Sequence, residues 1–228
     1  VPPRDLKRPF MLAKDTKERL SPDERKRWID KADAAIKAPV RAPEIRHGYP
    51  TNYRCPEHNS DLKFDLVDFR RHYCAKGDHN VEGQAHIDKE AGIRAHTENS
   101  ESCRSLGWAY YQTADEKYAR KAAELLLAYA ARFPAWDYAN PGSTGYRVRV
   151  GHAVLGECWW IHGFNAGYDM IADSPSLTAD QRKTIERDFF LLDAEEIQVH
   201  RVCVNQQCEI NSAAGDAAVN AQNWFLAA

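Results

Sequence analysis

The chain has no surplus of charge of either sign: 31 lysines and arginines stand against 33 aspartates and glutamates, a formal net charge of −2. Its pI is near 6.5. No basic field is available to hold a nucleic-acid backbone non-specifically, so no nucleic-acid partner is expected. An anionic ligand would need local positive charge or hydrogen-bond donors. No run approaches the ~20 apolar residues of a membrane span, so no membrane partner is expected. A strict internal repeat, a low-complexity tract and an extended alternating β pattern are also missing. Val1 is not a methionine, and Val1-Pro2-Pro3-Arg4-Asp5 does not read as a signal peptide. A mature secreted form and a cut piece would both begin this way. The last expected helix, from about Gln206 to Phe225, carries no terminating glycine or proline. The expectation is therefore of a missing C-terminal part of the same protein.

What is present is ordinary globular material. Hydrophobic residues make up 43% and charged residues 28% of 228 residues, enough for a sizeable core. Helix starts give the clearest local signals. Ser21-Pro22-Asp23-Glu24 is a capping box with proline at the first helical position, opening a helix to about Lys37 before Pro39 and Pro43. Thr113-Ala114-Asp115-Glu116 reads as a second box, opening a helix that Pro134 stops. Thr178-Ala179-Asp180-Gln181 reads as a third, opening a helix to about His200. Helical spacing also predicts helices over 89–112 and from His152 to about Ile171. Trp159, Trp160 and Phe164 read as core, and His96, His152 and His162 as hydrogen-bonded histidines within hairpins. Residues 39–85 read as irregular, a length that asks for a staple or a task. The expected fold class is all-α: an incomplete (α/α) toroid of antiparallel helical hairpins over 89–228, after an N-terminal helix and irregular segment over 1–88.

Three segments carry candidate chemistry. Cys55-Pro56-Glu57-His58, followed by Cys74 and His79, offers two sulfurs and two imidazoles, a set that suits tetrahedral zinc in a structural site. A Cys55–Cys74 disulfide, or unlinked residues in a polar loop, satisfies the same sequence. The six cysteines, an even number, permit disulfides without demanding them. The loop from Ala135 to Gly151 holds Trp136, Tyr138, Tyr146, Arg147 and Arg149. Aromatic faces stack on sugar rings and arginine forks pair with carboxylates, so Trp136, Tyr146, Arg147 and Arg149 are candidate substrate-binding residues. Equally, the aromatics would plug a rim and the arginines lie in solvent. The third segment runs from His200 through Asn205, Gln206, Gln207 and Glu209 to Asn211. Neutral amide donors at a helix N-terminus can stabilise charge developing on a carboxylate. An ordinary helix cap at Asn205 is the alternative.

The order of these pieces resembles the heparinase II/III and alginate lyase group of polysaccharide lyases. The likeness lies in Leu106-Gly107-Trp108-Ala109-Tyr110-Tyr111-Gln112-Thr113-Ala114-Asp115-Glu116-Lys117-Tyr118-Ala119-Arg120-Lys121-Ala122, in Leu125 to Pro134, in Ala166-Gly167-Tyr168-Asp169-Met170-Ile171, and in Arg182-Lys183-Thr184-Ile185-Glu186. Asn205-Gln206 falls where that group carries its carboxylate-neutralising amide or histidine. The resemblance implies a toroid followed by a β-sandwich domain, and β-elimination at a uronic acid in an acidic polysaccharide or oligosaccharide. It implies Asn205 and Gln206 as catalytic residues and, more loosely, Glu209 as a site residue, while His200, which opens the same segment, is a candidate substrate-binding residue. Gln206 stands where some relatives have histidine, and the group's later tyrosine and histidine have no counterpart here. The elimination needs no cofactor, and the implied location is secreted or periplasmic. Two rivals remain. A glycoside hydrolase on the same frame would need a carboxylic acid pair, with Glu157, Asp169, Glu195 and Glu209 available. A non-catalytic carbohydrate-binding domain would need none.

Overall fold

A computed structural model of the chain describes residues 20–48, 53–65, 68, 70–139, 148–152 and 154–199. The fold is mostly helical, as the sequence implies, with one small sheet that it does not advertise. Helix α1, Pro22–Lys37, starts as predicted: Glu24 N–H donates to Ser21 Oγ at 3.2 Å and Ser21 N–H donates to Glu24 Oε2 at 2.9 Å. The segment expected to be irregular contains three short strands, β1 (Leu62–Phe64), β2 (His72–Cys74) and β3 (His79–Val81), paired antiparallel in that order. Each strand has three residues, too few for a period-two pattern to register in the sequence.

Helix α2, Ala85–Thr113, is the spine of the molecule. It begins four residues earlier than its spacing predicts, and the 88/89 division falls within its first turn. The second box is corrected by the structure. Thr113 ends α2, its hydroxyl donating to Ala109 O at 2.7 Å, and Ala114 turns left-handed at φ 56°. Asp115 is the true cap of α3, Glu116–Ala130, accepting from Lys117 N–H at 3.0 Å. A 3-10 turn at Phe133–Ala135 leads into the loop, and α4 follows at Val154–Ile171. The third box forms as predicted, with Thr178 and Gln181 capping reciprocally at the start of α5, Ala179–Ile185. The expected single helix to His200 is interrupted. One π-helical stretch, Glu186–Leu191, separates α5 from α6, Leu192–Val199. The widened turn lets the adjacent Phe189 and Phe190 both enter the core.

The core lies where α2, α3 and α4 meet. Tyr129, Phe133, Trp136, Trp160, Phe164 and Phe189 form one aromatic cluster, Tyr129 and Phe164 with centroids 4.5 Å apart. His96 is buried within it, 2.8 Å from the Tyr129 hydroxyl, and burial pushes its pKa down to about 3, so it stays neutral. Trp160 and Phe164 are core as expected, but Trp159 is 54% exposed. Successive residues on a helix face about 100° apart, so Trp159 and Trp160 cannot share one face. Helices α2 and α4 approach closely because small residues face each other. A Cβ on Gly167 would lie 2.6 Å from the Cys103 carbonyl oxygen, and one on Gly163 2.4 Å from that of Ser100. No helix among the described residues is long and apolar enough to cross a membrane.

Candidate functional site

The Cys/His set is brought together. The chain folds back at Cys55–Ser60, where Asn59 N–H donates to Cys55 O and Cys55 N–H donates to Ser60 O. That fold-back places Cys55 and His58 side by side, their Sγ and Nδ1 atoms 3.5 Å apart. Cys74 closes β2 and His79 opens β3, and the two are directly paired across the hairpin. Cys55 Sγ lies 3.7 Å from His79 Nε2, and Cys74 Sγ lies 3.7 Å from His58 Nδ1. All four donor atoms lie within 4.8 Å of one another, the cysteines buried and the histidines half-buried. Cys55 and Cys74 are free thiols rather than a disulfide. The hydroxyl of Ser60, 3.3 Å from Cys74 Sγ, pulls that thiol down to about 6, aided by the backbone N–H groups of Gly77 and Lys76 and opposed by burial. Gly77 is required by close approach. A Cβ there would sit 2.3 Å from His58 Cε1 and 2.5 Å from His79 Nδ1.

Of the loop residues named from the sequence, Trp136 and Arg149 are described. Tyr146, Arg147, His200, Asn205, Gln206 and Glu209 lie outside the described residues. Trp136 is buried at 5% exposure, its indole N–H donating to Glu44 Oε2 at 3.2 Å and its ring 5.1 Å from the Arg46 guanidinium. Arg149 does pair with a carboxylate, but with one of this chain: its Nε donates to Glu196 at 2.5 Å. Its remaining donors reach the carbonyls of Phe133, Pro134 and Trp136 and the Tyr138 hydroxyl. In this conformation both side chains hold the loop rather than face solvent.

Sequence reasoning misses a buried acid cluster behind this arginine. Glu157, on α4, accepts from Val150 N–H at 3.1 Å and Gly151 N–H at 2.5 Å. Asp193 and Glu196, on α6, face it, and all three are buried. Burial above all pushes Glu157 up to about 7 and Asp193 well above the ordinary carboxylate range, with repulsion from Glu196 adding to both and that from Glu157 adding at Asp193. The amide donors of Val150 and Gly151 oppose that rise at Glu157, and Asp193 bonds to Glu157. The one sequence signal was two acids three residues apart in an otherwise apolar stripe with Phe189, Phe190 and Ile197. Of the acids offered for a hydrolase, Glu157 and Asp169 are buried and Glu195 is exposed, and Glu209 lies outside the described residues.

No family model matches the chain. Among curated proteins, it is 34% identical over 104 residues to an exo-oligoalginate lyase of Saccharophagus degradans, a match taking in 46% of this chain and 14% of that protein. It is 33% identical over 95 residues to an alginate lyase of Stenotrophomonas maltophilia, covering 42% of this chain and 12% of the relative. The matched stretch is thus a small fraction of either relative's length.

Proposed function

We propose that this chain is part of a polysaccharide lyase that cleaves a uronic-acid-containing polysaccharide, alginate foremost, by β-elimination. The observation that carries the reading is the match to two proteins named as alginate lyases, at 34% and 33% identity. The helical framework supports it: α2, α3 and α4 are successive, tightly packed helices of the kind from which an (α/α) toroid is built. We assign the hairpins to such a toroid and the chain to the wider heparinase II/III-like group on the resemblance set out above. A secreted or periplasmic location follows from the size of a polymeric substrate.

The chemistry would run through the carboxylate at C5. Removing the C5 proton is unfavourable while that carboxylate is charged, so a neutral donor beside it works mainly in the transition state. Asn205 with Gln206 is our candidate for that donor, with Tyr146, Arg147, His200 and Glu209 as candidate substrate contacts. Trp159, an exposed flat aromatic, is a further surface on which a sugar ring could stack.

The test is the absorbance of the unsaturated uronate when full-length protein is incubated with alginate and other uronate polymers. A lyase generates that chromophore, whereas a hydrolase or a binding domain leaves the absorbance flat and overturns the proposal. In the active protein, Asn205→Ala should lower kcat about 10²–10³-fold, the usual cost of losing one transition-state donor. Asn205→Asp should be as damaging, because it sets a like charge against the substrate carboxylate. An ordinary helix cap would tolerate aspartate, so near-wild-type activity in Asn205→Asp would remove Asn205 from the site.

A further inference from the structure

We propose that Cys55, His58, Cys74 and His79 bind one zinc ion in a closed, tetrahedral and purely structural site, which fastens the three-stranded sheet to the start of α2. This stands apart from the elimination reaction and would survive its failure.

The geometry fits the ion. Zinc bonds of about 2.3 Å to sulfur and 2.0–2.1 Å to nitrogen, at the tetrahedral angle, set sulfur–nitrogen separations near 3.5 Å. The three such separations in hydrogen-bond range here are 3.5, 3.7 and 3.7 Å. Two thiolates and two neutral imidazoles favour zinc over calcium or magnesium, which take oxygen ligands. Two thiolates also cancel the ion's charge, so the buried group is neutral overall. The second shell matches: Ser60 and the amides of Lys76 and Gly77 point at the Cys74 sulfur. The missing side chain of Gly77 leaves room for the two rings to converge.

The site is structural because four protein ligands leave no position open for water or substrate. Glu57, whose Oε2 lies 4.0 Å from His79 Nε2, is 72% exposed and is not one of the four converging ligands. The sheet also needs such help. Its strands have three residues each, and its private core is Tyr53, Cys55, Leu62, Cys74, Val81, Ile87 and Ala91, two of them the ligands themselves. Two hydrogen bonds through His72, on the strand that carries Cys74, tie the sheet to the helix start. The Tyr53 hydroxyl donates to His72 Nδ1 at 2.7 Å, and His72 Nε2 donates to Asp88 at 2.7 Å in the first turn of α2. Metal, sheet and helix start are thus one connected unit.

Metal analysis of the protein purified without added zinc, followed by cobalt substitution, tests the proposal. We expect about one zinc per chain and, on exchange, the intense visible and near-ultraviolet bands of tetrahedral thiolate-bound cobalt. A chelator should open Cys55 and Cys74, identified by peptide mapping, to alkylation while Cys103 and Cys158 stay protected in the helical core. His79→Ala should lose the stoichiometric metal, and Cys103→Ser should keep it. Where His79→Ala does not fold, the wild-type cobalt spectrum and the alkylation map decide. Substoichiometric zinc with free Cys55 and Cys74, a weak octahedral cobalt spectrum, or a Cys55–Cys74 disulfide would each overturn the assignment.

Discussion

Among single residues, Glu157 carries the clearest consequence. Its carboxylate anchors the turn at Val150 and Gly151 from inside the core, against the repulsion of Glu196 and the desolvation of its own charge. A carboxyl whose pKa is higher in the folded than in the unfolded state holds its proton more tightly when folded. Its contribution to stability is therefore greatest below the ordinary value of 4.5 and is lost as pH rises through about 7. Several surface carboxylates, Glu24, Asp115 and Asp137 among them, are shifted downward and slope the opposite way. The informative quantity is thus the difference between variant and wild type. Glu157→Gln keeps an oxygen for the two amides and removes the charge. It should gain stability relative to wild type as pH rises from 4.5 towards 7, with the difference constant above that. Melting curves across that range check this, and a difference independent of pH would mean that Glu157 is not the titrating group. Nothing local in the sequence marks this residue, because its burial is decided by α6, 36 residues away from it at Asp193.

For the secondary-structure elements, what could be read beforehand was what is encoded locally. Ser21 and Thr178 announce their helices because both halves of each reciprocal cap lie within four residues. Thr113 misled because its hydroxyl turns back to Ala109 instead, and the left-handed Ala114 hands the cap to Asp115. The π turn at Glu186–Leu191 was invisible because its composition is ordinary helix and its cause is the packing of Phe189 and Phe190. The α2–α4 crossing is not legible for the same reason: what faces Gly163 and Gly167 is set by packing, and both are points of close approach. Gly167→Ala would bring a methyl group to 2.6 Å from the backbone carbonyl of Cys103, where no flexible side chain can give way. Overpacking of this kind typically costs about 1–3 kcal/mol. Denaturant unfolding should show a loss of that size with an unchanged slope. A neutral or stabilising result, as expected for glycine-to-alanine in an open helix, would mean that the helices can separate at little cost. Gly156 is the internal comparison, since its Cβ would meet only Gly151 Cα at 3.7 Å.

For the molecule as a whole, two cores of very different size share one helix. The larger joins α1, α2, α3, α4 and the Phe189–Phe190 segment; the smaller surrounds the four metal-type ligands and reaches α2 only at Ile87 and Ala91. The ligand set was legible because Cys and His are distinctive residue types, whereas the sheet between them was not, because pairing over such short strands is fixed by the cluster itself. This division predicts an ordered response to metal removal. Helix α2 has no side-chain cap at Gln84, and its first turn is held by the His72–Asp88 bond. With zinc withdrawn, β2 loses its anchors at both ends of the Cys74–His79 pair, His72 loses its fixed position, and the uncapped helix start is released. The interior of α2 from Ser100 onward keeps its packing against α4, and the aromatic cluster around Tyr129 is untouched. Hydrogen exchange with and without chelator should therefore show faster exchange over 53–81 and the first two turns of α2, while 100–113, α3 and α4 stay protected. Equal loss of protection throughout would show that the two cores unfold as one. Unchanged exchange over 53–81 would show that the sheet stands without metal, and with it the structural role of the site would fall.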